Sequence, residues 1–254
     1  MAGPLEERHG VLSSPGTGPA GGGRIVTALL SAEGITKSFG ATRVIEGIAL
    51  SIAPGEPVGL FGPNGSGKTT LVNILSGLLF PDAGTVRFEG KEITRLPIDA
   101  RYRLGVARTF QIPHPYPALS VHEALRVALA ADPGNRSAGE GARGDEEGAI
   151  EDLLARTGLF NQRLVPCALL SQGCLRRLEF ARAFACRPKL LILDEVFSAL
   201  SALDEKELLD LLLAANRDDG TAFLLVSHNP PLLKSLCRRI LVLEEGRIVR
   251  ERRV

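Results

Sequence analysis

Short, wholly apolar runs punctuate the chain at Val58-Gly59-Leu60-Phe61, Leu190-Leu191-Ile192-Leu193 and Phe223-Leu224-Leu225-Val226. Runs with no polar alternation predict strands buried on both faces, as in a mainly parallel sheet covered by helices. After the first run, Leu71, Ile74, Leu75 and Leu78 recur at helical spacing and predict a helix that lasts until Pro81. The stretch Leu29 to Ile52 breaks its apolar positions with Gly34, Gly40 and Gly47 and predicts short antiparallel strands. Gly84-Thr85-Val86-Arg87-Phe88-Glu89-Gly90 reads as another strand ending in a turn. From about Pro113 to Ala185 the pattern is helix-rich, with a flexible interruption from Pro133 to Gly148. Ile240-Leu241-Val242-Leu243, a turn at Glu245-Gly246 and then Ile248-Val249 predict a closing hairpin. Residues 1–24 are rich in Gly, Pro and Ser and lack periodicity, so structure is expected to begin near Thr27. The opening stretch is read either as a disordered tail or as an extension from a misplaced start codon.

Composition narrows the function classes. The chain has 254 residues, enough for one larger domain or two small ones, and is 44% hydrophobic and 23% charged. A net charge of +1 gives no broad pull toward nucleic acid, and absent Trp with only two Tyr argues against an aromatic single-strand-binding surface. No apolar run approaches the roughly 18–20 residues that cross a bilayer, so no direct membrane insertion is expected. The N-terminus carries Glu6 and Glu7 where a secretory signal would be apolar. Cys167, Cys174, Cys186 and Cys237 form no C-x-x-C pair, which points away from zinc or a disulfide framework and toward a reducing compartment.

The chemistry enters between the first strand and its helix. Gly62-Pro63-Asn64-Gly65-Ser66-Gly67-Lys68-Thr69 is a complete G-x-x-x-x-G-K-[ST] phosphate loop. The glycines let the backbone curl so that N–H groups face an anion, and the following helix adds positive potential at its start. Lys68 is placed to reach the β- and γ-phosphates, and the Thr69 hydroxyl to hold Mg²⁺. Farther on, Leu190 to Glu195 is a buried strand ending in two acids. Asp194 is placed to bind Mg²⁺ through water, and Glu195 to polarise an attacking water.

Between these motifs lies Leu170-Ser171-Gln172-Gly173-Cys174, followed by Leu175-Arg176-Arg177-Leu178-Glu179-Phe180-Ala181-Arg182-Ala183. With the two phosphate-site motifs, this resembles an ATP-binding-cassette (ABC) subunit, the nucleotide-hydrolysing half of a membrane transporter, over about residues 28–250. The arginine-rich signature helix and Ala107-Arg108-Thr109-Phe110-Gln111 are most similar to the branched-chain amino-acid subgroup. The resemblance implies an α/β, RecA-like P-loop NTPase core with a mainly parallel sheet, an N-terminal antiparallel β subdomain and an inserted helical subdomain. It divides the chain into a tail (1–27), a nucleotide-binding core with the β subdomain (28–110 and 186–254) and a helical signature subdomain (111–185).

The resemblance also implies roles. Phe39 stacks on adenine, and Thr70 joins the loop residues in holding ATP. Gln111 contacts Mg²⁺ or the water and reports to the membrane partner. His228, in Val226-Ser227-His228-Asn229, contacts the γ-phosphate. Ser171 and Gly173 cap the γ-phosphate held by an opposing subunit. The expected cofactors are ATP and Mg²⁺. The expected partners are transmembrane permease subunits and a second cassette, identical or not, at the cytoplasmic face of the membrane. Ile112-Pro113-His114-Pro115-Tyr116-Pro117 is a candidate docking surface. The subgroup suggests import of branched-chain amino acids or related small polar solutes.

The chain departs from the family pattern at Gln172 and Cys174 in the signature and at Val196 after the acids. In the next loop the family expects Leu-Asp or Leu-Asn. Ser201 follows Leu200 in the direct register, and Ala202-Leu203-Asp204 would need a shift of three. Two competing readings remain: a cassette ATPase acting on DNA or the ribosome, and a cassette that binds ATP only to regulate a partner.

Overall fold

The computed structural model describes residues 28–109, 116–131, 143–198 and 200–253. Strands β1 (Leu30–Phe39) and β2 (Thr42–Ile52) form one antiparallel hairpin. Gly34 and Gly47, expected to separate short strands, lie inside these long ones at φ 63° and 62°. The register shifts beside both of them. A glycine in this region absorbs a bulge without a Cβ penalty, so each strand bends and continues, and Gly40 makes the turn.

The chain then runs β3 (Pro57–Phe61), α1 (Lys68–Ser76), β4 (Ala83–Phe88), β5 (Lys91–Glu92), α2 (Ile98–Arg103) and β6 (Val106–Thr109). Helices α3 (Val121–Ala130), α4 (Arg143–Arg156) and α5 (Gln172–Phe184) follow. The last part alternates β7 (Leu190–Asp194), α6 (Ala202–Asp218), β8 (Ala222–Val226), α7 (Pro230–Leu236), β9 (Arg239–Glu244) and β10 (Arg247–Arg253). A four-stranded antiparallel sheet has the order β2-β1-β4-β5. A six-stranded sheet has the order β10-β9-β3-β8-β7-β6, parallel except at β10.

Strand β7 shows why the apolar runs lack alternation. Leu190 and Ile192 pack into the core shared with α1 and the antiparallel sheet, while Leu191 and Leu193 pack into the core with α3 to α7. Both faces are covered, as the wholly apolar runs required. Helix α1 buries Leu71, Val72, Ile74 and Leu75 among Ile35, Ile45 and Ile48, each worth about 1.5–3 kcal/mol relative to exposure.

Two expected boundaries are corrected. The helix after the loop ends at Ser76, well before Pro81, because Gly77 takes φ 83° and bonds back to the Asn73 and Ile74 carbonyls. Leu78, expected on the helix's apolar face, is therefore 51% exposed. The interruption expected over Pro133 to Gly148 is shorter at its far end, since α4 already begins at Arg143. The rest of it, like the tail over 1–27 and the docking segment except Tyr116 and Pro117, lies outside the described residues. Among the described residues no helix is long and apolar enough to cross a membrane.

Candidate active site

The phosphate loop leaves the C-terminal end of β3 and curls into the start of α1. A Cβ on Gly62 would collide with the Leu243 carbonyl and lie 2.8 Å from Ser66 Oγ. Gly67, at φ 101°, would bring a Cβ within 2.7 Å of Ile45 Cδ1 and 2.9 Å of the Val44 carbonyl oxygen. Gly67 offers no side-chain cap, which leaves the first N–H groups of α1 for an outside acceptor. Ser66 Oγ is buried without a hydrogen-bond partner among the described residues. Lys68 is buried, and its Nζ donates to the carbonyls of Gly62 at 2.9 Å and Pro63 at 2.8 Å. An orphaned hydroxyl, uncapped N–H groups and a buried ammonium fit a bound anion. Thr69 and Thr70 follow on α1, with Thr69 exposed, as are Pro63, Asn64 and Gly65.

Asp194 closes β7 beside β3's neighbour β8 and is buried. Its Oδ2 accepts from Arg108 Nη2 at 3.1 Å, and Arg108 Nη1 donates to Asn73 Oδ1 at 2.6 Å and Ser76 Oγ at 3.2 Å. Arg108 thus ties the strand acid to the helix that follows the phosphate loop. Burial pushes the Asp194 carboxyl above its usual range; the Arg108 charge opposes this, Glu195 adds to it, and Lys68 also opposes it. The sequence signal for this pair is the arginine itself: an arginine inside a short buried strand calls for a carboxylate across from it. Arg108→Met strands that carboxylate, and a loss of about 3–5 kcal/mol is expected in urea unfolding.

Glu195 follows at φ 52°, a left-handed backbone that is uncommon for a residue with a Cβ. Its N–H bonds the Val226 carbonyl, and its own carbonyl accepts from Ser198 N and Oγ. Held this way, its Oε2 lies 3.0 Å from Nε2 of His228, which sits just past β8. Asn229 then caps α7, accepting from Leu232 N–H. A cleft of about 460 Å³ opens here, lined by Glu195, Ser198, Glu205, Ser227, His228 and Asn229.

The remaining residues lie apart. Phe39 ends β1, 51% exposed as a residue, with Lys37 Nζ 5.7 Å from its ring centroid. Ser171 caps α5, its Oγ accepting from Cys174 N–H, and it makes no bond to the phosphate loop of its own chain. A Cβ on Gly173 would collide with the Asp204 carboxylate. Ser201 is the N-cap of α6 and accepts from Asp204 N–H, so Ser201 directly follows the loop and Asp204 lies one turn into the helix. Gln111 lies outside the described residues.

A curled glycine loop with a buried lysine, set beside a strand-end Asp-Glu pair, defines a P-loop nucleoside-triphosphate hydrolase. The ABC transporter family model matches residues 45–198, and the chain belongs to that family. It is 36% identical over 223 residues to the methionine import ATP-binding protein MetN of Mesorhizobium japonicum, covering 85% of this chain and 58% of that one. It is 35% identical over 230 residues to the lipoprotein-releasing system ATP-binding protein LolD 1 of Caulobacter vibrioides, covering 88% and 95%. A nucleotide-free ATP-binding cassette from an ABC transporter matches with a TM-score of 0.78 at 28% identity, over 89% of this chain and 92% of that one. A dimeric cassette in a post-hydrolysis state with ADP and Pi matches with a TM-score of 0.78 at 25% identity, over 88% and 98%. The chain is an ABC ATP-binding subunit and an ATPase.

Proposed function

We propose that this subunit hydrolyses ATP between two cassettes and passes the resulting motion to transmembrane permease subunits. The observation that carries the reading is the convergence of Lys68, Asp194, Glu195 and His228 at the ends of adjacent strands, with Glu195 held at φ 52° against His228.

Lys68 exchanges the Gly62 and Pro63 carbonyls for phosphate oxygens, and the backbone N–H groups of Gly62 and of Asn64 to Thr69, with Thr70, hold the rest of the chain of phosphates, Pro63 having no N–H to give. Phe39 receives adenine, a stack worth about 1–3 kcal/mol. Thr69, Asp194 and Gln111 are the residues that would hold Mg²⁺, which when bound supplies positive charge beside the β- and γ-phosphates. Glu195 accepts the proton of the attacking water, and His228 orients Glu195 and touches the γ-phosphate. Ser171 and Gly173, which stand free of their own chain's phosphate loop, serve the nucleotide of a second cassette, identical or not. ATP then favours the closed pair because only that pair contacts it from both sides.

The chain divides by this reading into a nucleotide-binding core (28–110 and 186–254) and a helical signature subdomain (111–185). The permease docks in a groove of about 490 Å³ between α2, β6, α3 and α5, lined in part by Tyr102, Tyr116, Val127 and Arg182. Arg182 lies over the Tyr116 ring at 4.8 Å. The subunit works at the cytoplasmic face. Its cargo is branched-chain amino acids or related small polar solutes, a reading supported by the arginine-rich signature helix and by the import function in the name of MetN. Co-reconstitution with its permease is expected to raise steady-state ATPase and to make it respond to cargo. Turnover indifferent to the permease would refute the coupling.

A further inference from the structure

Arg101, on α2, is 0% exposed, and among the described residues no carboxylate pairs with it. Its guanidinium nevertheless spends all five N–H donors on backbone carbonyls. Nε donates to Leu96 O at 2.9 Å, Nη1 to Ile74 O and Leu75 O at 2.8 Å each, and Nη2 to Ile93 O at 2.7 Å and Thr94 O at 3.0 Å. Burial lowers its pKa to about 10, so it remains charged at neutral pH.

Two groups of acceptors meet at this one side chain. Ile74 and Leu75 belong to the last turn of α1, where the negative end of the helix dipole favours a cation, and the Ile74 carbonyl accepts from Arg101 as well as from Gly77 N–H. Ile93, Thr94 and Leu96 belong to the segment leaving β5, at the far edge of the antiparallel sheet. That segment is tied back into the sheet, since Thr94 Oγ1 accepts from Val86 N–H of β4, and β4 pairs with β1, which ends at Phe39. The other end of α1 is gripped by the same sheet, where Val44 and Ile45 of β2 close on Gly67. The helix bearing the phosphate loop is therefore clamped to the sheet bearing Phe39 at both ends, by packing at its start and by Arg101 at its finish.

We infer that Arg101 is a positioning residue for the nucleotide: it fixes the phosphate half of the site to the adenine half, so that one ATP engages both. This rests on the reading above that adenine stacks on Phe39. Arg101 touches no part of the ligand itself. A role confined to general stability would weaken every ligand alike; a role in joining two subsites weakens only ligands that span them.

The test measures affinities of the full chain for Mg-ATP and for magnesium inorganic triphosphate, which has no base. Variants whose melting shows a folded state at the assay temperature are compared with wild type. In Arg101→Lys, which keeps the charge but has fewer donors, the ATP affinity is expected to fall about tenfold while triphosphate changes less than about twofold. Gly77→Ala reaches the same staple with the arginine in place, because its Cβ would lie 2.8 Å from Arg101 Nε. It should show the same split. Phe39→Ala should also lose ATP affinity alone, and the Phe39→Ala, Arg101→Lys double variant should lose little more than either single. Equal weakening of both ligands in Arg101→Lys and Gly77→Ala, or no weakening, overturns the inference. If wild type binds ATP no more tightly than triphosphate, and Phe39→Ala changes nothing, the adenine reading beneath it falls instead.

Discussion

Glu195→Gln is expected to bind Mg-ATP as tightly as wild type and to hydrolyse it about 10²–10⁴ times more slowly, the usual contribution of a positioned general base. The substitution keeps the shape and one acceptor oxygen, so the backbone that holds the residue is not disturbed. The Val226 carbonyl and the two bonds from Ser198 fix the main chain whatever the side chain carries. The lost property is the ability to take a proton from water. Phosphate release and equilibrium titration separate the two effects: lost turnover with unchanged affinity supports the assignment. Wild-type turnover would show that the strain at φ 52° serves something other than the reaction.

Lys68→Ala should act on the opposite term. The Nζ now bridges two carbonyls of its own loop, a geometry that keeps a buried ammonium satisfied until phosphate oxygens replace them. Removing a charge-assisted bond worth about 1.5–3 kcal/mol should raise the ATP dissociation constant by about ten- to a hundredfold. Direct binding measured by calorimetry checks this, and unchanged affinity would remove the phosphate loop from the account.

The parts of this site that were legible in the sequence are those whose residues are contiguous. Gly62 to Thr69 and Leu190 to Glu195 each carry their chemistry within a few positions, flanked by apolar runs that became β3 and β7. Pairings across long separations were not legible. Arg108 meets Asp194 across 86 positions, and Arg101 reaches the end of α1 across 27, so neither partner is visible locally. Glycines mislead in one direction: Gly34 and Gly47 predict breaks, because composition does not distinguish a bulge from a turn. Gly77 misleads in the other, since an apolar residue at helical spacing follows it. The backbone of Glu195 also left no trace, because the φ of a charged residue is set by the turn around it.

The account depends on a nucleoside triphosphate held by the loop from Gly62 to Thr69 and cleaved under Glu195. The most direct measurement titrates the purified chain with Mg-ATP, paired with phosphate release by the same preparation together with its permease. Saturable binding of one nucleotide per chain, weakened in Lys68→Ala, and release slowed about 10²–10⁴-fold in Glu195→Gln, is the predicted result. A wild-type chain that binds no ATP, or a Glu195→Gln variant that releases phosphate at the wild-type rate, would contradict it.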